Sequence, residues 1–202
     1  MRTVDPAKHE AKRRHIIESA ASCFARAGFD KTTVADICTA AGISSGSLFH
    51  YFPSKRAVFT AIFEQDGRDN AERLAAAVDS DDPWGAVLEQ VEYMARSLAD
   101  PEAAGLAFEV VAQAGRDSEL AELVTRDDRE VREKLAVLLR RAAQQGQIDA
   151  SIEPATAATW VVGLVDALYT RAGADSEFAP AEQLGTLRLI LAGFLRAESR
   201  SP

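Results

Sequence analysis

Residues 33–55 read TVADICTAAGISSGSLFHYFPSK, and no single element accommodates all of them. Thr33, with Asp36 three residues on, has the form of a capping box. Val34, Ile37, Cys38 and Ala41 follow at helical spacing before Gly42. Ser44 opens a second short helix, expected over about 45–51, and Pro53 closes it. Two short helices joined by AAGIS, a glycine-containing turn, make a helix-turn-helix unit. In that unit the second helix enters the major groove of DNA and offers its N-terminal residues to base edges. The composition of SSGSLFHYF suits that task. Ser45, Gly46 and Ser47 are small enough for close approach. Leu48 and Phe52, four apart, share the face turned to the core. Phe49, His50 and Tyr51 are left to point toward bases and backbone. Ser54 then caps a further helix whose free N–H groups, with Lys55, suit a phosphate, and Thr33 opens its own helix in the same way. A short helix in any bundle can share these features, so the stretch alone leaves DNA binding and a plain structural role both open.

Outward from this stretch the chain reads as helix throughout, and the expected fold is all-α with about nine helices. The first is expected over about 7–27, with Ile17, Ala20, Ala21 and Phe24 on one face and Gly28 at its end. After the helix-turn-helix, Ser54 begins a helix running to about 79, where VDSDDP makes the first clear polar break. Further helices are expected over 84–98, 101–114, 118–145, 155–172 and 181–198. Asp5-Pro6, Asp82-Pro83 and Asp100-Pro101 each place a cap before a proline at the first helical position. The expected division is a DNA-binding domain over 1–55 and an effector-binding and dimerisation domain over 56–202, linked by the helix over 54–79.

Charge divides the chain along similar lines. The net charge is −8. Residues 1–55 carry eight Lys/Arg against five Asp/Glu, leaving fifteen against twenty-six in the remainder. All three histidines, His9, His15 and His50, fall in the basic part. An anionic partner for one end only is the physical expectation. The two cysteines, Cys23 and Cys38, sit in apolar helical patterns at no metal-binding spacing and read as buried thiols. The N-terminus is polar, and the apolar run LILAGFL at 189–195 is too short to span a bilayer, so a cytoplasmic protein without a membrane partner is expected.

Residues 12–63 resemble the DNA-binding domain of TetR-family transcriptional regulators, over about a quarter of the chain. IIESAASCFARAGFDKTTVADICTAAGISSGSLFHYFPSKRAVFTAIF carries the likeness, through Ala-Gly-Phe, Thr-Thr-Val-x-x-Ile, Ala-Gly-Ile-Ser and the aromatics before Pro-Ser-Lys. More loosely, residues 106–171 resemble the ligand-binding domain of the BetI-like branch, through FEVVAQAGRDSEL and IEPATAATWVVGLVDAL. The resemblance implies phosphate contacts for Thr33, Tyr51 and Lys55, and a recognition face made of Ser45, Gly46, Ser47, Phe49 and His50. It implies a repressor that binds a palindromic double-stranded operator as a homodimer and is released by a small-molecule effector. Two departures stand out. Phe49 takes the place of the family's usual tyrosine, which removes a hydroxyl. Arg56 stands where an acidic residue is more common and would add positive charge near the DNA backbone. The recognition helix also lacks Arg, Asn and Gln, so indirect readout and contacts to thymine methyls are expected to carry much of the specificity.

The acidic part offers two further surfaces. Thr156, Thr159, Gly163 and Ala167 form a small-residue stripe, and Leu187, Ile190, Leu191, Phe194 and Leu195 a broad apolar one. Both suit a dimer interface, and in the family the corresponding helices form a four-helix bundle across the two-fold axis; burial within the chain is the alternative. Trp84, Met94, Phe108, Trp160 and Tyr169 are candidates to line an effector pocket, with Gln113 and Asp166 as polar handles. Each of these aromatics would serve equally as plain core. Asp166, if buried, needs a partner: a cationic ligand, Arg171 or the dimer mate.

An all-α enzyme is the rival class. No Ser/His/Asp or Cys/His set, no His-x-x-x-His or Glu-x-x-His metal pair and no phosphate-cradling glycine loop is present, and residues 84–198 hold neither histidine nor cysteine. No catalytic residue, metal or cofactor is therefore expected. A helical small-molecule-binding protein with vestigial DNA binding is a third possibility, for which Phe49 speaks.

Overall fold

A computed structural model describes residues 5–96, 101–175 and 177–195. Among them lie nine α-helices and no strand: α1 (Pro6–Lys31), α2 (Val34–Ala40), α3 (Ser45–Tyr51), α4 (Lys55–Ala77), α5 (Pro83–Arg96), α6 (Pro101–Ala114), α7 (Ser118–Gln144), α8 (Pro154–Ala174) and α9 (Leu184–Phe194). A 3-10 turn, Pro180–Gln183, leads into α9 and delays its start by three residues from the expected 181. The expected cap at Asp100 and the ends of the helices drawn to 98 and 198 lie outside the described residues.

The helices assemble into two compact units. The first comprises residues 1–66 with 105–123, the second 67–104 with 124–202. The division differs from the expected break at 55/56, because Val58, Phe59, Ala61 and Ile62 of α4 are buried in the first unit's core. α4, α6 and α7 each belong partly to both units.

In the first unit, α1 starts where Asp5 accepts hydrogen bonds from the N–H groups of Ala7 and Lys8, with Pro6 at the first position. It buries Ile16, Ile17, Ala20, Cys23 and Phe24. The helix runs past its expected end at residue 27 and kinks at Gly28, whose φ of 76° a side chain would resist. Past the kink, Thr32 is 2% exposed and donates its hydroxyl to the Gly28 carbonyl at 2.7 Å. Phe24, Phe29 and Phe59 form an aromatic triangle with centroids 5.0–5.7 Å apart, and Phe63 extends it from Phe59 at 5.1 Å. A Cβ on Gly105 would stand 2.8 Å from the Ala25 carbonyl oxygen, so α6 meets α1 at backbone distance there.

The second unit has its own apolar core. Leu74, Val87, Val91, Leu135, Leu138, Leu139, Val161, Val165, Leu187, Leu191 and Leu195 are all within it. Asp82 caps α5 through the Gly85 N–H at 3.0 Å, and Glu153 caps α8 through the Thr156 N–H at 2.9 Å. Arg141 of α7 donates to the carbonyls of Val78 and Ser80, fixing the polar break after α4. Leu187 and Leu191, assigned from sequence to a dimer surface, are instead core: 3% and 0% exposed. On α9 the apolar residues run all round the helix, and positions 187, 191 and 195, four apart, are the inward ones. Leu191→Ala should therefore lower the unfolding free energy by about 2–5 kcal/mol, as buried Leu→Ala changes do. Urea unfolding followed by circular dichroism checks this; a loss within 0.5 kcal/mol of zero, about the scale of surface changes, would return Leu191 to the surface.

Candidate functional site

The helix-turn-helix forms as its local chemistry requires. Thr33 and Asp36 make a reciprocal capping box: the Thr33 N–H donates to Asp36 Oδ2 at 2.8 Å, and the Asp36 N–H to Thr33 Oγ1 at 3.2 Å. Ser44 accepts the Ser47 N–H at 3.2 Å and opens α3. Gly42, at φ 61°, turns the chain between the two helices. Leu48 and Phe52 are buried and anchor α3. Its other face is open: Ser45, Gly46 and His50 are exposed, Ser47 and Tyr51 half-buried, and Phe49 is 50% exposed. Phe49 is thus a half-exposed apolar side chain on a seven-residue helix, and it stands on the face with Ser45, Gly46 and His50.

Of the three residues expected at phosphates, Thr33 and Lys55 spend their polar groups within the chain. The Thr33 hydroxyl is engaged in the capping box, donating to Asp36 at 2.7 Å. Those bonds from Thr33 hold the Asp36 carboxyl below its usual range, so a negative charge already occupies the start of α2. Lys55 turns inward. Its ammonium donates to the carbonyls of Phe29 at 2.6 Å and Thr32 at 2.8 Å, with Asp30 at 3.4 Å, and lies 4.4 Å from the Phe29 ring centroid. Three donors meet three carbonyls at the end of α1, where unsatisfied carbonyls gather. Tyr51 remains at the surface, its ring against those of His9 and His50. Arg56, expected to face DNA, is clamped instead by Asp117 (2.5 and 2.6 Å) and Glu119 (2.7 Å). The bonds from Arg56 keep the Asp117 carboxyl below its ordinary range.

The chain's other candidate surfaces also sort themselves. Thr159, Gly163 and Ala167 lie on the exposed face of α8, and Ile190 on that of α9 is 47% exposed. Trp160, placed by sequence in a pocket, is 58% exposed on the same α8 face, 6.3 Å from the half-buried ring of Phe194. Sequence reasoning missed it because a tryptophan amid apolar residues reads as core; its spacing from Thr156, Thr159 and Gly163 was the available signal. Of the other pocket candidates, Trp84, Met94 and Tyr169 pack against the second unit's core, and Tyr169 donates its hydroxyl to the Met94 carbonyl at 2.7 Å. Phe108 and Gln113 belong to the first unit, the former exposed and the latter donating to Glu109 at 2.8 Å. Asp166 is exposed and is not paired with Arg171, which holds Asp175 at 2.6 Å. Partial desolvation, then the like charge of Asp128, raise the Asp166 carboxyl. A cavity of about 290 Å³ in the second unit, lined by Leu139, Ala143, Ile148, Ile152, Ala157 and Leu195 among others, touches none of the pocket candidates.

Residues 16–62 match the tetR family of bacterial regulatory proteins, and residues 89–196 match the C-terminal part of the BetI-type transcriptional repressors. The chain belongs to the TetR family of transcriptional regulators. Its relatives are regulators, not enzymes. The HTH-type transcriptional regulator UidR of Escherichia coli K12 is 27% identical over 190 residues, covering 92% of this chain and 93% of that protein. The HTH-type transcriptional repressor Rv1474c of Mycobacterium tuberculosis is 44% identical over 66 residues, 33% of each chain. Among solved structures, GusR of Salmonella enterica matches with a TM-score of 0.72 at 24% identity, over 98% of this chain and 100% of that one. FadR of Bacillus subtilis in complex with stearoyl-CoA matches with 0.72 at 18% identity (88% and 96%), and a SmeT–triclosan complex with 0.78 at 20% (94% and 93%). These likenesses confirm the all-α TetR fold. Among the described residues no helix is long and apolar enough to cross a membrane.

Two outcomes follow from the geometry. Lys55→Met should lower thermal stability and leave the salt dependence of DNA binding unchanged. A log K versus log salt slope shallower by about one unit would mean that its ammonium neutralises a phosphate. For Asp166, a raised folded-state pKa means the native state holds the proton longer, so stability falls as pH rises from its ordinary value upward. Asp166→Asn should be more stable than the parent at neutral pH and indistinguishable from it below the usual carboxylate range, by thermal unfolding across pH.

Proposed function

We propose that this TetR-family regulator is a repressor that binds an inverted-repeat operator as a homodimer and is released by a small, largely apolar effector. The observation that carries the DNA half is the open face of α3, with small residues at its front and Phe49 and His50 behind them, held to the core by Leu48 and Phe52. A seven-residue helix of this kind is spent on presenting a face, and its small front admits close approach to base edges. Phe49 suits thymine methyls better than hydrogen-bond readout.

The exposed apolar and small residues of α8 and α9 support the dimer. Trp160, Leu189 and Ile190 are exposed, Phe194 is half-buried, and Gly163 and Ala167 leave room for a close helix approach. Two copies of the reading helix then meet two half-sites about 34–36 Å apart. Supporting the effector, two of the solved relatives are complexes with small molecules. A route for release begins at α4, a continuous helix of 23 residues, about 35 Å long at 1.5 Å per residue. Its first turn is held by the Arg56 clamp to Asp117 and Glu119, at the start of α7. An effector that shifts α4 or α7 would change the spacing of the two reading helices. A tenfold loss of operator affinity needs about 1.4 kcal/mol of coupling, and operator must weaken effector binding by the same factor.

Selection of bound fragments from random DNA, with sedimentation of the free and bound protein, tests the reading. An inverted repeat bound by two chains is expected. Ile190→Glu should give monomers that fold normally and lose the operator. A wild-type monomer at micromolar concentration on single half-sites would overturn the homodimer. Failure to select any sequence would favour a helical small-molecule-binding protein with vestigial DNA binding.

A further inference from the structure

Three rings from two helices meet at the end of α3. His9 of α1 lies against Tyr51, with centroids 4.6 Å apart and planes at 32°. His50 stands edge-on to both, 5.4 Å from Tyr51 and 6.1 Å from His9. His9 reaches this place because α1 begins early: its N–H donates to the Asp5 carbonyl at 3.0 Å, closing the first turn. The contact thus joins the opening turn of α1 to the last turn of the reading helix, far apart in sequence.

The place matters because the cations expected beside it are engaged elsewhere. The Lys55 ammonium is bound to the end of α1 and Arg56 to Asp117 and Glu119, while Phe49 has no hydroxyl. The Tyr51 hydroxyl and the two imidazoles are polar groups that this end of α3 does present. Tyr51 is a half-buried side chain near the end of a short helix. Ordering such a side chain on binding costs entropy, and a ring already packed against it removes part of that cost.

We propose that His9 is a positioning residue for operator recognition, holding the Tyr51–His50 pair by ring contact in the orientation in which it meets DNA. The proposal rests on the DNA-binding reading above. It concerns the contact between rings, so a ring without imidazole chemistry serves in place of His9.

The test uses a DNA fragment selected by the full-length wild-type protein, with affinities for wild type, His9→Ala, His9→Phe, Tyr51→Ala and the His9→Ala/Tyr51→Ala double variant. Thermal unfolding of each is recorded alongside. His9→Ala should weaken binding about three- to tenfold, the range of one aromatic pair. In the Tyr51→Ala background the same change should do nothing further, and His9→Phe should bind within about twofold of wild type, below that range. An equal loss from His9→Ala in both backgrounds, or His9→Phe as weak as His9→Ala, overturns the proposal. Wild type that binds while His9→Ala matches it overturns the proposal and leaves the DNA reading standing. If wild type selects no fragment, operator binding fails and this proposal falls with it.

Discussion

In the first unit one ammonium group ties the end of α1 to the start of α4. Lys55 carries its charge into the C-terminal end of α1, where the carbonyls of Phe29, Asp30 and Thr32 have no helical N–H partner. The same group lies over the Phe29 ring, which packs in turn against Phe24 and Phe59. Polar and apolar cohesion thus converge on the start of α4. α3 ends at Tyr51, just before this point. A helix of seven residues has too few internal hydrogen bonds to persist alone. Its orientation is borrowed from the Leu48 and Phe52 anchors and from the fixed start of α4 behind it.

The electrostatics follow from that arrangement. A chain of net charge −8 approaches a polyanion only if its cations are gathered and its acids are kept away or neutralised. Here two cations beside the reading helix are consumed in holding the fold, Lys55 by carbonyls and Arg56 by carboxylates. The start of α2 carries Asp36 rather than a vacant anion site. What α3 turns outward is small, aromatic or imidazole. On the proposed reading, such a surface would discriminate by fit and groove shape more than by charge, since it offers no bidentate donor to guanine or adenine.

Much of this was legible in the sequence wherever the determinants are local. Caps, prolines and the Gly42 turn act within four or five residues, and α2, α3, α6 and the start of α7 fall where those signals put them. The α3 anchors were legible too, because Leu48 and Phe52 are the apolar pair at helical spacing. What could not be read depends on distant partners. Nothing near Lys55 announces the carbonyls of residues 29–32, and nothing near Arg56 announces Asp117. α9 is apolar on nearly every side, so periodicity could not separate inward Leu187 and Leu191 from outward Leu189 and Ile190. Trp160 went astray for the same reason: its neighbours on α8 are apolar, and only the packing shows which side faces out. The contact of His9 with Tyr51 joins two segments whose sequences carry no hint of one another.

The first unit is discontinuous: it takes in residues 105–123 as well as those up to Asp66. The chain therefore crosses between the units three times, within α4, α6 and α7. This bears on modularity. The reading head is not a detachable cassette, for a fragment cut at α4 would lack the acids that hold Arg56 and the Gly105 segment that lies against Ala25. A chimera that grafts this head onto a foreign sensor would need all three junctions matched in helical phase. An exchange that keeps the fold intact should accordingly carry the whole chain and not the head alone.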